Sequence, residues 1–126
     1  MTTRADGFTL MEVLAALAVF SIASVGLMHA ATENARTARI IETRALAAIV
    51  ADNKMTETLT QQAPLVAGFT SDTTRLAERG WQVNQTISRT QTQGVLQIEI
   101  EAIETIDGAE EGGIRIQRVA FRSQRR

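Results

Sequence analysis

Few residues in this chain could carry out chemistry. It has one histidine, His29, and no cysteine, so neither a paired-histidine metal site nor a Cys/His nucleophile pair can form. A Ser/His/Asp triad would need His29, which stands in a strongly apolar stretch where a structural role is the usual one. The glycine patterns that bind phosphate are missing as well. The sequence therefore predicts no enzyme, no cofactor, no metal site and no small-molecule substrate.

Two charged clusters near the carboxyl end have plain structural explanations. The acidic stretch from Asp107 to Glu111 lacks the alternating oxygen ligands of an EF-hand loop, so we expect an exposed hairpin turn there. The arginines that follow are Arg115, Arg118, Arg122, Arg125 and Arg126. The formal net charge of the chain is -1, whereas nucleic-acid binders carry a basic excess. These arginines therefore predict a solvated tail or a protein contact, and no nucleic-acid partner.

The most informative segment runs from Phe8 to Ala31 and is almost wholly apolar, with Glu12 as its one carboxylate. As a helix it would be about 36 Å long, enough to cross a hydrocarbon core about 30 Å thick. Arg4 precedes it and favours a cytoplasmic amino end. We therefore predict a transmembrane helix over residues 8–31, with the rest of the chain on the far side of the membrane.

A secretory signal peptide and a plain signal anchor are the alternatives for this segment. The apolar region of a signal peptide is usually about 7–15 residues long, shorter than the segment seen here. Glu12 argues against a plain signal anchor, because a carboxylate deep in a bilayer costs about 2.5–3.5 kcal/mol on insertion scales, and less near the interface. Glu12 is therefore expected either to have a partner or to sit solvated at headgroup depth.

The residues from Gly7 to Leu17, GFTLMEVLAAL, resemble the type IV prepilin motif. The resemblance implies that residues 1–7 are a leader, that a membrane aspartyl prepilin peptidase cuts between Gly7 and Phe8, and that the new amino group of Phe8 is methylated. It also implies that Glu12 pairs with the amino group of a neighbouring subunit. Such a pair depends strongly on distance in a low dielectric, so it would fix the axial register of subunits.

An amphipathic continuation of the helix is predicted over residues 32–62, because no Pro or Gly occurs between Leu27 and Ala63. The positions expected to pack on the globular part are Ile41, Ala45, Ala48, Ala51, Met55 and Leu59, spaced three and four residues apart. The run ALAAIVA is apolar on every side, which predicts contact with another subunit as well. The residues predicted for this partner-helix face are Ile41, Ala45, Ala48, Ile49 and Met55.

A small β-sheet region is predicted over residues 63–126. Pro64 ends the helix and opens a loop through about Arg79. Alternating apolar residues then predict one strand over residues 81–87 and another over residues 96–100. A turn at Gly112-Gly113 precedes a last strand over residues 114–121, whose disturbed alternation indicates a bulge or an edge strand. The fold class is α+β: a long helix, half membrane-spanning and half amphipathic, packed on a small antiparallel sheet, as in pilins.

A second resemblance covers much of the chain. The stretches ETRALA from Glu42, VADNKMTE from Val50 and GWQV from Gly80 are similar to the I-type minor pseudopilin, general secretion pathway protein I, of the type II secretion system. The resemblance implies partnership with the J-, K- and H-type minor pseudopilins at the pseudopilus tip. It further implies a single-pass inner-membrane location with a periplasmic carboxyl-terminal domain. A minor pilin of a type IV pilus and an anchored periplasmic binding domain that never assembles are the alternatives.

Overall fold

A computed structural model describes residues 7–105 and 113–124 of the chain. Its elements are the helix α1 (Leu10–Thr60) and the strands β1 (Gly68–Leu76), β2 (Arg79–Arg89), β3 (Val95–Thr105) and β4 (Arg115–Ser123). The chain divides into two compact units, Met1–Ala38 and Arg39–Arg126, and the boundary falls inside α1. The helix ends at Thr60, two residues before the predicted end at residue 62.

The first unit contains the amino-terminal part of α1, where the large apolar side chains are exposed. By length and composition, α1 is able to cross a membrane. Two of its hydroxyl groups are satisfied within the helix: Ser21 donates to the carbonyl oxygen of Leu17 at 2.7 Å, and Thr32 to that of Met28 at 3.0 Å. This local bonding lets polar side chains stand in an apolar helix without an unpaired donor.

The second unit packs the carboxyl-terminal part of α1 on one face of a four-stranded antiparallel sheet with strand order β1-β2-β3-β4. Each strand is joined to the next one along the chain, so the sheet is a simple meander. The centre of the core contains Trp81, Ile98 and Ile100, which are fully buried. Ala47 and Ala51 of the helix are also 0% exposed, and their small size lets the helix approach the sheet closely.

The face of α1 that packs on the sheet differs from the predicted one. Its buried residues are Thr43, Ala47, Val50, Ala51, Met55 and Thr58. Of the predicted set, Ala51 and Met55 are buried and Ala48 is half-buried, whereas Ile41, Ala45 and Leu59 are exposed. The prediction counted only apolar side chains and so passed over two threonines. Their hydroxyls donate to backbone carbonyls one turn earlier, which makes burial of threonine inexpensive.

The predicted loop after Pro64 is wrong in part, because β1 lies within it. This strand is exposed along almost its whole length, so it has no apolar alternation from which it could be recognised. A two-residue turn joins β1 to β2, and both turn residues have positive φ: 52° at Ala77 and 61° at Glu78. Asn and Gly are the usual signals for this turn, and neither is present.

The last strand is confirmed as an edge strand, but it has no bulge between the paired residues Ile103–Arg115 and Val95–Ser123. Of the predicted turn, Gly113 is described and Gly112 lies outside the described residues, as does the acidic stretch 107–111. A Cβ on Gly113 would stand 2.1 Å from the carbonyl oxygen of Glu104. Glycine is therefore required where the chain enters β4.

Candidate assembly site

The amino end of α1 is closed by a pair of reciprocal hydrogen bonds. The amide of Glu12 donates to the hydroxyl of Thr9 at 3.3 Å, and the amide of Thr9 donates to the carboxylate of Glu12 at 3.4 Å. The amides of Glu12 and Val13 also donate to the carbonyl oxygen of Thr9, at 3.1 and 3.2 Å. This arrangement is a capping box, in which a threonine at the cap position and a glutamate three residues later satisfy each other's amides.

The capping box gives Glu12 a partner within its own chain. Its carboxylate also lies in the first turn of α1, where the helix dipole stabilises a negative charge. From the sequence, Glu12 is expected to pair with a neighbouring subunit or to sit solvated at headgroup depth, and this local partner is not foreseen. The signal was present as the T-x-x-E spacing from Thr9 to Glu12 ahead of an apolar run.

The predicted cleavage residues stand just outside the helix. Gly7 and Phe8 precede the first helical residue, Leu10, and both are exposed. Phe8 is 85% exposed, and a Cβ on Gly7 would meet no atom within 4 Å. The peptide bond between them is therefore sterically open, in an irregular segment ahead of α1.

On the second unit, an apolar ridge runs along the side of α1 that does not contact the sheet. Ile41, Ala45 and Ile49 are four residues apart and all are exposed, with exposed fractions of 63% at Ile41 and 48% at Ile49. Ala48 lies beside the ridge and is half-buried. Met55, which the sequence analysis placed on the same partner face, is only 9% exposed and belongs to the core. The prediction is corrected there, because Met55 packs against the chain's own sheet.

A polar cluster that the sequence analysis missed joins α1 to the ends of β2 and β3. Arg79 donates to the buried hydroxyl of Thr43 at 2.8 Å, and its guanidinium lies 3.6 Å from the carboxylate of Glu104 and 3.4 Å from that of Glu42. The side chain of Glu104 is only 11% exposed, so it depends on Arg79 for its partner charge. Sequence spacing gives no signal for these contacts, because they join residues distant along the chain.

Ion pairs also connect α1 to both edge strands of the sheet. Asp52 pairs with Arg118 of β4 at 2.8 Å, and Lys54 pairs with Asp72 of β1 at 3.5 Å. Arg122 of β4 donates to the carbonyl oxygens of Thr58 and Gln61 at 3.1 and 2.9 Å, which satisfies acceptors at the end of the helix. Two of the carboxyl-terminal arginines are therefore structural groups of the domain and not a solvated tail.

The described residues contain no cluster of three His, Cys, Asp or Glu side chains that could hold a metal ion. What the two units share is a helix with exposed apolar side chains, capped at one end by Glu12 and packed at the other on an antiparallel sheet. This combination defines a pilin-like subunit, a protein whose helix is built to pack against other helices.

Comparisons with known proteins identify the family. Residues 41–119 match the family model of the type II secretion system, protein I, and residues 2–28 match the prokaryotic N-terminal methylation motif. The type II secretion system protein I of Pseudomonas aeruginosa is 31% identical over 119 residues, covering 94% of this chain and 92% of the relative. The chain belongs to the type II secretion system protein I family and is a minor pseudopilin.

Two further relatives have the same name. The protein of Vibrio cholerae is 35% identical over 75 residues, covering 60% of this chain and 62% of the relative. The protein of Klebsiella michiganensis is 44% identical over 51 residues, covering 40% of this chain and 42% of the relative. The resemblance stated from the sequence is confirmed, and the comparisons favour neither a type IV minor pilin nor a domain that never assembles.

Proposed function

We propose that this minor pseudopilin joins the J-, K- and H-type minor pseudopilins at the tip of the pseudopilus. There it primes filament assembly and so supports protein secretion across the outer membrane. Its role is structural and not catalytic. The observation that carries the proposal is the capping box of Thr9 and Glu12, which holds a carboxylate at the amino end of an exposed apolar helix.

The amino end is processed before assembly. The prepilin peptidase cuts between Gly7 and Phe8 and methylates the amino group of Phe8. Support comes from the match of residues 2–28 to the methylation motif and from the exposure of both residues ahead of the helix. In the precursor, residues 8–31 span the inner membrane once, with the leader in the cytoplasm and the β-sheet region in the periplasm. An apolar helix preceded by Arg4 supports this orientation.

Cleavage places a cation one residue before the capping box. The Phe8 amino group of a neighbouring subunit is then an attractive partner for the Glu12 carboxylate, since opposite charges in a low dielectric attract strongly at short distance. The capping box holds the carboxylate at a defined point along the helix axis. Pairing at that point would set the axial register of this chain against its neighbour.

The apolar ridge of Ile41, Ala45 and Ile49, with Ala48 beside it, is the proposed contact for the helix of a partner pseudopilin. Its alanines allow helix backbones to approach closely, and its isoleucines supply apolar area. Exposed apolar side chains on the side of a helix that does not face its own core commonly mark an interaction surface. Leu59, also exposed, lies further along the same side.

The test uses full-length Glu12 variants co-expressed with the J-, K- and H-type pseudopilins and the prepilin peptidase. Glu12→Val removes both the cap and the charge, whereas Glu12→Gln keeps an amide oxygen for the cap and removes the charge. We expect both variants to be shortened by the leader, as measured by mass spectrometry. Both should be recovered with the partner pseudopilins at about a tenth of the wild-type yield or less, a loss of roughly 1.4 kcal/mol.

Normal recovery of Glu12→Gln would show that the carboxylate acts only as a helix cap and would refute charge pairing. Wild-type protein that is cut but is not recovered with any of the three pseudopilins would refute membership of the tip complex. Uncut wild-type protein in cells that contain the peptidase would refute the processing step.

A further inference from the structure

The outer edge of β4 presents unpaired backbone groups. The amide of Glu104 donates to the carbonyl oxygen of Ile114, and the amide of Gln124 donates to that of Gly94. Backbone groups alternate in direction along a strand, so the even-numbered residues from Ile114 to Gln124 bond to β3. The residues whose amides and carbonyls point away from the sheet are Arg115, Gln117, Val119, Phe121 and Ser123. No described strand covers this edge.

The edge lacks three of the usual protections against strand pairing, namely short length, proline and a bulge, although it carries arginines. β4 is nine residues long, contains no proline and pairs with β3 in a regular register. Val119 and Phe121 are 49% and 63% exposed, and they stand at two of the outward-bonding positions. An added strand would therefore satisfy the backbone groups and place its own side chains beside two exposed apolar ones.

The charge of this edge selects the kind of strand. β4 has the sequence RIQRVAFRS, with three arginines and no acidic residue. Arg115 pairs with Glu101 and Arg118 with Asp52, but the contacts of Arg122 are to neutral carbonyl oxygens. The groove at the end of β4 contains Arg122 and Arg89 and no carboxylate. Arg89 is exposed and forms no ion pair within the described part of the chain.

A second copy of this chain is a poor occupant, because pairing β4 with itself would bring two strands with three arginines each side by side. The strand at the opposite edge of the sheet, β1, has one acidic and one basic residue, Asp72 and Arg75, so it lacks the excess of arginine found in β4. We propose that β4 binds an extended acidic segment of another pseudopilin by β-strand addition, with acidic side chains at the groove that is lined by Arg122 of β4 and, from β2 across β3, by Arg89. This inference rests on the proposed membership of the tip complex.

The test compares the two sheet edges through a matched pair of aromatic residues. Phe121 of β4 and Phe69 of β1 are 63% and 64% exposed, so the photoreactive analogue p-benzoylphenylalanine can replace either one with similar effect on the fold. Each full-length protein is irradiated in cells that co-express the J-, K- and H-type pseudopilins. We expect position 121 to cross-link to an acidic segment of one of these pseudopilins, identified by mass spectrometry, and position 69 to give at most about a fifth of that yield.

Two further variants, each made in the protein labelled at position 121, test the backbone and the charge. Val119→Pro removes an outward amide without removing a bond to β3, and should lower the cross-link yield about fivefold, the loss expected for one backbone hydrogen bond. Val119→Ala keeps the amide and is its control, as is Thr73→Pro on the edge of β1. Arg89→Glu should lower the yield by a similar factor, whereas Arg75→Glu, at an exposed arginine of β1, should not.

Thermal unfolding followed by Trp81, the single tryptophan and a fully buried residue, checks that each variant folds. Equal yields from positions 69 and 121, a cross-link to a second copy of this chain, or no effect of Arg89→Glu would overturn the inference. If the labelled protein is still recovered with the three pseudopilins but position 121 captures none of them, β-strand addition fails and the proposed function stands. If the wild-type protein were not recovered with the three pseudopilins, both β-strand addition and the proposed function would be refuted.

Discussion

At the scale of single residues, Glu12 combines two roles that are usually considered separately. Its carboxylate accepts a hydrogen bond from the amide of Thr9, so in the free subunit it has a local hydrogen-bond partner at the start of the helix. The same position makes the carboxylate available to a neighbour's amino group, because a capping box is exposed at the helix end. A residue with a local partner and a potential external one can stabilise the subunit first and the assembly later.

Ala77 shows the opposite situation, a residue whose type disagrees with its backbone conformation. Its φ of 52° lies in the left-handed region, which costs a residue with a Cβ about 1–2 kcal/mol relative to the usual conformations. Ala77→Gly should raise the free energy of unfolding by about 0.5–1 kcal/mol, because relief of this strain exceeds the entropy that glycine gains in the unfolded chain. Urea unfolding of the full-length chain in detergent, followed by Trp81 fluorescence, measures the change.

Ala77→Val is the matched comparison for that experiment. A β-branched side chain is still less tolerant of positive φ, so the free energy of unfolding should fall by about 1 kcal/mol or more. If both variants had the same stability as the wild type, the turn between β1 and β2 would not have the conformation described.

At the scale of elements, the sheet is held to α1 by a polar cluster at one end as well as by the apolar core. Arg79→Met should lower the free energy of unfolding by about 2 kcal/mol, because it leaves the nearly buried carboxylate of Glu104 without its partner charge. This loss is smaller than for a fully buried ion pair, since the Arg79 side chain is 25% exposed. Arg75→Met provides the control, since Arg75 is exposed on β1 and its loss should change stability by less than about 0.5 kcal/mol.

The double variant Arg79→Met/Glu104→Gln separates the two contributions in this cluster. Replacing the carboxylate by an amide removes the unpaired charge, so the double variant should recover part of the stability lost in Arg79→Met. If Glu104→Gln added its own full cost to that of Arg79→Met, the two side chains would not be coupled, contrary to their 3.6 Å separation.

The elements also show how far sequence reasoning reaches. The strands β2 and β3 were predictable because each has alternating apolar residues on one buried face, and the helix because an apolar segment is followed by a long run without Pro or Gly. β1 was not, because an exposed edge strand has no buried side to impose alternation. The packing face of α1 was misplaced because Thr43 and Thr58 are buried with their hydroxyls bonded to the helix backbone, a state that binary patterns treat as exposed.

The residues of the candidate site also divide into those that the sequence alone could name and those that it could not. Gly7, Phe8 and Glu12 could be named from the sequence because their motif is local and contiguous. The cluster of Arg79 and Glu104 and the outward-bonding residues of β4 depend on pairings between distant segments, which only the fold supplies. Met55 was assigned both to the chain's own sheet and to the partner face for a related reason: spacing alone does not distinguish the two, and the structure places it in the core.

At the scale of the whole molecule, the exposed ridge on α1 should govern assembly without contributing to the stability of the isolated chain. Ile41→Asp places a charge where a partner helix is proposed to pack, so we expect at least about a tenfold loss in recovery with the J-, K- and H-type pseudopilins. Because Ile41 is 63% exposed, the free energy of unfolding of the free protein should change by less than about 0.5 kcal/mol.

Val66→Asp is the control for this surface, since Val66 is 78% exposed in the loop after the helix, outside the ridge. Ile49→Asp, two turns along the same ridge, should behave like Ile41→Asp because the two side chains share one side of α1. A partner helix that crossed the ridge at one point would be affected by only one of the two isoleucines, whereas a helix packed along the ridge would be affected by both. Recovery unchanged in both variants would place the interface elsewhere and leave the membrane segment and the edge of β4 as the surfaces through which this pseudopilin assembles.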